Sequence, residues 1–145
     1  MNTMFSSCFR VLLTVLGMTS MAAVATAAPP SGKGERIVVL GDSITQAGAG
    51  AGGYVTLVRD TLADKHKDQA IEVIGAGISG NKVPDLEKRL EKDVLSKRPT
   101  LVVIYIGIND VWHSQSGKGT PKEEFDAGLR RIIKAINDGG ARVIL

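Results

Sequence analysis

The chain has 145 residues, a formal charge of +3, one cysteine and two histidines. Once an amino-terminal stretch of distinct composition is set aside, about 118 residues remain, enough for one small domain and too few for two. The cysteine, Cys8, falls in that stretch, which excludes disulfide staples, Cys-based metal sites and a thiol nucleophile from the rest.

In chain order, MNTMFSSCFR carries Arg10 and no acid, and VLLTVLGMTSMAAVATA follows it, ending in the small-x-small pattern Ala25-Thr26-Ala27. This reads as an export signal over residues 1–27, so the mature domain is expected to be secreted or periplasmic. An uncleaved anchor is the alternative. Val11 to Ala27 is 17 residues, short of the roughly 20 that a spanning helix needs. Thr14, Gly17, Thr19 and Ser20 dilute it further, and no stable membrane span is expected after cleavage. Ala28 to Glu35, rich in Pro, Gly and Ser, reads as a flexible linker.

From Arg36 to Leu145 the hydrophobic pattern alternates between two periods. Ile37 to Leu40 is a branched run suited to a strand covered on both faces. Tyr54, Leu57, Val58, Thr61 and Leu62 then recur at helical spacing, and IEVIGAG is a second strand. Val83, Leu86, Leu90 and Val94 form another helical stripe that Pro99 is expected to stop, and TLVVIYIG is the third strand. A helix opens at Thr120-Pro121-Lys122-Glu123, where the spacing predicts a capping box. It is expected to bury Phe125, Leu129, Ile132, Ile133 and Ile136, and ARVIL begins a fourth strand. Charges are mixed in sign, as in DLEKRLEKD and TPKEEFD, which excludes the one-sided basic stripe of a nucleic-acid binder.

Alternating strands and helices predict an α/β fold, an open parallel sheet with helices on its faces and right-handed crossovers. In such sheets reactive groups collect at the carboxyl ends of the strands. Three polar clusters are delivered there: Gly41-Asp42-Ser43, Gly77-Ile78-Ser79-Gly80-Asn81 and Gly107-Ile108-Asn109-Asp110. Taken singly, each is an ordinary turn or helix cap. Together they offer a hydroxyl at Ser43 and three hydrogen-bond donors for an oxyanion: the Ser43 N–H, the Gly80 N–H and the Asn109 side-chain amide. Asp110 reads as structural.

VVLGDSIT, GAGISGNKVPDL and VVIYIGIND resemble the first three sequence blocks of the SGNH hydrolases, the GDSL-type esterases and lipases, in order. The resemblance runs from Arg36 to the end of the chain. It implies a flavodoxin-like three-layer sandwich, a nucleophile at Ser43, oxyanion donors at Gly80 and Asn109, ester hydrolysis on small-molecule or carbohydrate esters, and neither metal nor organic cofactor. Acetylated sugars are among that family's substrates. Two departures stand out. Gly75 replaces the asparagine usual in N-x-x-x-S-G, and the family's final Asp-x-x-His block has no match.

A serine hydroxyl is a weak nucleophile until a base takes its proton, and only His66 and His113 are available. His66, in DKHKD, reads as a solvated helix residue. Asp42, Trp112 and His113 are expected to contact substrate; of the two histidines His113 is the better placed to be a base, but pocket lining is its expected role. GGARVIL stops partway into a buried-type strand, which leads to the expectation of an amino-terminal fragment, incomplete at the carboxyl terminus, whose base and carboxylate lie in the absent part. A non-catalytic module binding an anion or sugar on the same fold is the alternative reading. A nucleotide-binding protein is disfavoured because no G-x-G-x-x-G follows the first strand.

Overall fold

The computed structural model describes residues 34–145. The expected export signal and all but the last two residues of the linker lie outside the described residues. Four strands, β1 (Arg36–Gly41), β2 (Glu72–Gly77), β3 (Leu101–Tyr105) and β4 (Arg142–Ile144), form one parallel sheet in the order β2-β1-β3-β4. These are the first four positions of the flavodoxin-like order. The connections between strands carry the helices: α1 (Ser43–Gly48), α2 (Tyr54–Lys65), α3 (Val83–Asp93), α4 (Ile108–Trp112) and α5 (Lys122–Asp138).

The branched run of β1 explains the layering. Side chains alternate across a strand, so Val38 and Leu40 enter one core with Leu86, Leu90, Ile132 and Ile136 of α3 and α5. Ile37 and Val39 enter a second core with Val55 of α2 and Val73 of β2. Fully burying one such side chain contributes about 1.5–3 kcal/mol before entropy is counted. Helices α3 and α5 are also clamped by a two-pronged pair from Arg131 to Glu87, at 2.7 and 2.9 Å.

Several expectations need correction. The stripe Tyr54, Leu57, Val58, Thr61, Leu62 is not the buried face of α2. Val55 is buried and Leu62 packs beside it, while Tyr54, Leu57 and Val58 stay 37–57% exposed. On the second face of the sheet Val55 and Leu62 meet Ile37, Val39 and Val73, with Ile71, Leu101 and Val103 partly buried around them. Helix α3 ends at Asp93, well before Pro99. A turn of 3-10 helix over Leu95–Lys97 and a left-handed Arg98 (φ 51°) turn the chain there. The capping box of α5 does not form: Pro121 is the cap, its carbonyl accepting the Phe125 N–H at 2.8 Å. The Thr120 N–H is committed to the Asp110 carbonyl at 3.1 Å, and its buried hydroxyl has no partner.

Helices α1 and α4 were not foreseen, because elements of six and five residues are too short to show a period. Helix α1 lies directly across the end of β2. A Cβ added at Gly77 would stand 2.1 Å from the Gln46 nitrogen and 2.5 Å from the Thr45 carbonyl carbon, both backbone atoms. Gly77→Ala is therefore expected to force α1 off the strand end and to destabilise the fold by about 1–3 kcal/mol, read as a lowered midpoint in urea unfolding.

Candidate active site

Strand register brings the three polar clusters together. Gly41 at the end of β1 is level with Gly77 on β2 and with Tyr105 on β3. Ser43, Ser79 and Gly107 each lie two residues past that line, Gly80 three and Asn109 four, so all of them crowd one rim.

Ser43 is the first residue of α1 and is half-buried. Its N–H belongs to the first turn of a helix, where amides have no intrahelical acceptor. Asp42, expected as a substrate contact, is 1% exposed and instead caps α1, with Oδ1 accepting the Ile44 N–H at 2.9 Å. Its carbonyl accepts the Gln46 N–H at 2.9 Å. Asp42 thus holds the turn on which Ser43 stands.

Gly80 has a positive φ of 79°, a conformation that side-chain-bearing residues rarely adopt, with open space where a Cβ would be. The amides on either side are occupied: Ser79 N–H donates to Gln46 Oε1 at 2.6 Å and Asn81 N–H to the Ile78 carbonyl at 3.2 Å. Among the described residues the Gly80 and Ser43 N–H groups have no protein acceptor. Asn109 is 6% exposed, and its Nδ2 donates to the Asn81 carbonyl at 3.0 Å. One amide hydrogen of Asn109 is left over. The rim therefore presents two backbone donors and one side-chain donor.

Asp110 is turned inward. It is 2% exposed, and Oδ1 accepts the Val83 N–H at the start of α3 at 3.1 Å, which bears out its structural reading. Trp112 is 66% exposed and His113 half-buried in the 3-10 turn that follows α4. Among the described residues no hydrogen bond joins the ring of His113 or His66 to Ser43. His66 caps the far end of α2, a 12-residue helix about 18 Å long that starts near the rim. An open apolar groove of about 470 Å³ is lined by Ile44, next to Ser43, and by Tyr54, Tyr105, Ile144 and Leu145. No cluster of His, Cys, Asp and Glu able to hold a metal occurs among the described residues.

Sequence reasoning missed two participants. Gln46 ties α1 to the Ser79 amide, and Arg89 joins the ends of β1 and β2. Arg89 borders the apolar stripe of α3, but nothing in DLEKRLEKD separates it from Lys88 or Lys92. The departure at Gly75 also has a physical account. A Cβ there would stand 2.9 Å from the Ala49 side chain, so the end of α1 occupies the space that a larger residue at 75 would take.

A parallel α/β sandwich with a capped serine after its first strand and amide donors after the next two has the architecture of the serine hydrolases of the flavodoxin-like type. The chain belongs to the GDSL-like lipase/acylhydrolase family, which it matches over residues 39–145. It is 38% identical over 118 residues to an acetylxylan esterase of Geobacillus stearothermophilus, covering 70% of this chain and 54% of that protein. It is 30% identical over 118 residues to an arylesterase of Vibrio mimicus, covering 77% of this chain and 53% of that one. Among solved structures it is similar to an acetyl xylan esterase, AlAXEase, at TM-score 0.72 and 45% identity, covering 76% of this chain and 56% of the other. The G. stearothermophilus acetylxylan esterase structure matches at TM-score 0.70 and 35% identity, covering 79% of this chain and 59% of the other. Catalytic mutants of that enzyme change a serine, an aspartate and a histidine. The chain spans about half the length of the curated relatives it matches.

The inward role of Asp110 is open to measurement. Asp110→Ala is expected to strand the buried Val83 N–H and lower stability by about 1–3 kcal/mol. Asp110→Asn, which keeps an acceptor oxygen, is expected to lose less in the same unfolding experiment.

Proposed function

We propose that this chain carries the nucleophile and oxyanion-binding half of a serine esterase that removes acyl groups, acetyl foremost, from carbohydrate esters. The single observation that carries the reading is the pair of unengaged N–H groups at Ser43 and Gly80, with the spare Asn109 amide hydrogen, on the rim where Ser43 is held by its cap. The two xylan-directed esterases among the relatives support the substrate class.

On this reading the Ser43 Oγ attacks the ester carbonyl carbon and a tetrahedral intermediate forms. The carbonyl oxygen becomes negative and is met by the Ser43 and Gly80 N–H groups and by Asn109 Nδ2, donors fixed before the reaction begins. Collapse expels the alcohol and leaves an acyl group on Ser43, which water then releases as the acid. The proton taken from Ser43 needs a base. We place the histidine base and its orienting carboxylate in the part of the relatives' length that this chain does not span. Trp112 and His113, next to Asn109 in the chain, are proposed to contact the sugar side of the substrate, and the protein is proposed to be exported.

The test uses the 145-residue chain with acetylated xylan and an aryl acetate. Without the base, capture of a fluorophosphonate by the chain alone is expected to be slow, and what capture occurs is expected at Ser43 and to disappear in Ser43→Ala. Turnover by the chain alone is expected to be feeble, with Asn109→Ala lowering kcat a further 10²–10³-fold, the order of an oxyanion donor. Capture or hydrolysis that persists in Ser43→Ala sinks the reading. Vigorous turnover lost in both Ser43→Ala and His113→Ala would move the base to His113.

A further inference from the structure

We propose that Arg89 is a positioning residue for the oxyanion-binding rim, a role that rests on the esterase reading above. Its side chain is 12% exposed, whereas Lys88 and Lys92 on the same helix are open to solvent. The guanidinium reaches four acceptors. Nη2 donates to the Gly41 carbonyl at 2.8 Å, Nη1 to the Ala76 carbonyl at 2.9 Å and to Asp93 Oδ2 at 3.0 Å, and Nε to Asn81 Oδ1 at 2.7 Å.

Those acceptors are the structural roots of the site. Gly41 ends β1 immediately before Asp42 and Ser43, and its carbonyl also accepts the Ile78 N–H at 3.1 Å. Ala76 lies near the end of β2, ahead of Ser79 and Gly80. Asn81 follows Gly80, and its own carbonyl is the one that Asn109 holds. One planar group therefore joins the segments bearing the nucleophile and the Gly80 donor, and through Asn81 it reaches the Asn109 donor.

Arginine is the residue that can do this. Its fixed fork carries five N–H donors in one plane, while lysine offers three donors diverging from one atom and cannot span acceptors on separate segments. Asp93, one helical turn along, pins the fork from behind. Without the guanidinium the turn from Ile78 to Asn81 keeps its bonds at Ile78 and Ser79 but its far end, Asn81, loses its tie to α3 and β1, and the Gly80 and Asn109 donors drift from the place where the oxyanion forms. A misplacement of about 1 Å can cost 10²-fold in rate. Because the oxyanion exists in the transition state and not in the bound ester, the loss falls on kcat and leaves KM nearly unchanged.

The experiment compares Arg89→Ala, Arg89→Lys and Arg131→Gln in the full 145-residue chain. Arg131→Gln also removes a hydrogen-bonded partner of α3 but touches nothing on the rim, so it controls for loosening of the helix. In amide-resolved NMR, both Arg89 variants are expected to shift the Gly80 N–H and Asn109 side-chain signals and to speed their hydrogen exchange. Guanidinium ion at tens of millimolar is expected to reverse this in Arg89→Ala, and Arg131→Gln is expected to leave both signals in place. In the ester assay the Arg89 variants are expected to lose kcat by about 10- to 100-fold at unchanged KM, with the same rescue. Gly80 and Asn109 signals that stay as in the wild type in Arg89→Ala overturn the proposal, as does an equal disturbance in Arg131→Gln. Capture or hydrolysis that persists in Ser43→Ala counts against the esterase reading alone, and the NMR comparison then decides the role of Arg89 by itself.

Discussion

The structure depends on the parallel register at Gly41. With Gly77 on one side and Tyr105 on the other, three strands stop at the same level, and whatever follows each of them meets on one rim. A slip of one residue in either pairing would turn the alternating side chains of β1 to the wrong cores, since successive residues face opposite layers. Packing of Val38 and Leu40 on one side and Ile37 and Val39 on the other therefore fixes the position of Ser43 relative to Gly80 and Asn109. Core and candidate site are set by the same constraint.

Local hydrogen bonds then convert proximity into geometry. Asp42 and Asp110 are neighbours of the two candidate chemical groups, Ser43 and Asn109, and both point inward to hold the starts of helices α1 and α3. Gln46 and Arg89 act from further along those helices and tie the second polar turn to the first. The carboxylates beside the candidate reacting groups serve architecture, and the amides do the facing outward. This division suits a site in which developing negative charge must be met by donors, because a carboxylate turned toward that charge would repel it.

Family likeness and departure fit the same picture. The match to the GDSL-like lipase/acylhydrolase family starts at residue 39, within β1, and takes in the other three strands and the rim, and the glycine at position 75 is accommodated by Ala49 at the end of α1. Among the described residues an apolar groove lined by Ile44, Tyr54 and Tyr105 lies beside Ser43, while the polar turn bearing Gly80 lies on β2's side.

The amino-acid sequence by itself determined the order and type of the four strands, the three longer helices, the buried stripe of α5 and the three polar turns, because each is written in short-range periodicity or in residues with special backbone preferences. The buried face of α2 was misread, since two apolar stripes lie close together on that helix and only its docking on the sheet shows that Val55 and Leu62 face the core. The capping of α5 was misread because Thr120 is claimed by Asp110, a residue ten positions away that no local pattern connects to it. Helices α1 and α4, the inward turn of Asp42, the hold of Gln46 on Ser79 and the four-way grip of Arg89 were decided by tertiary structure alone. Each depends on which backbone atoms the register leaves without a partner, and that is known only once the strands are side by side.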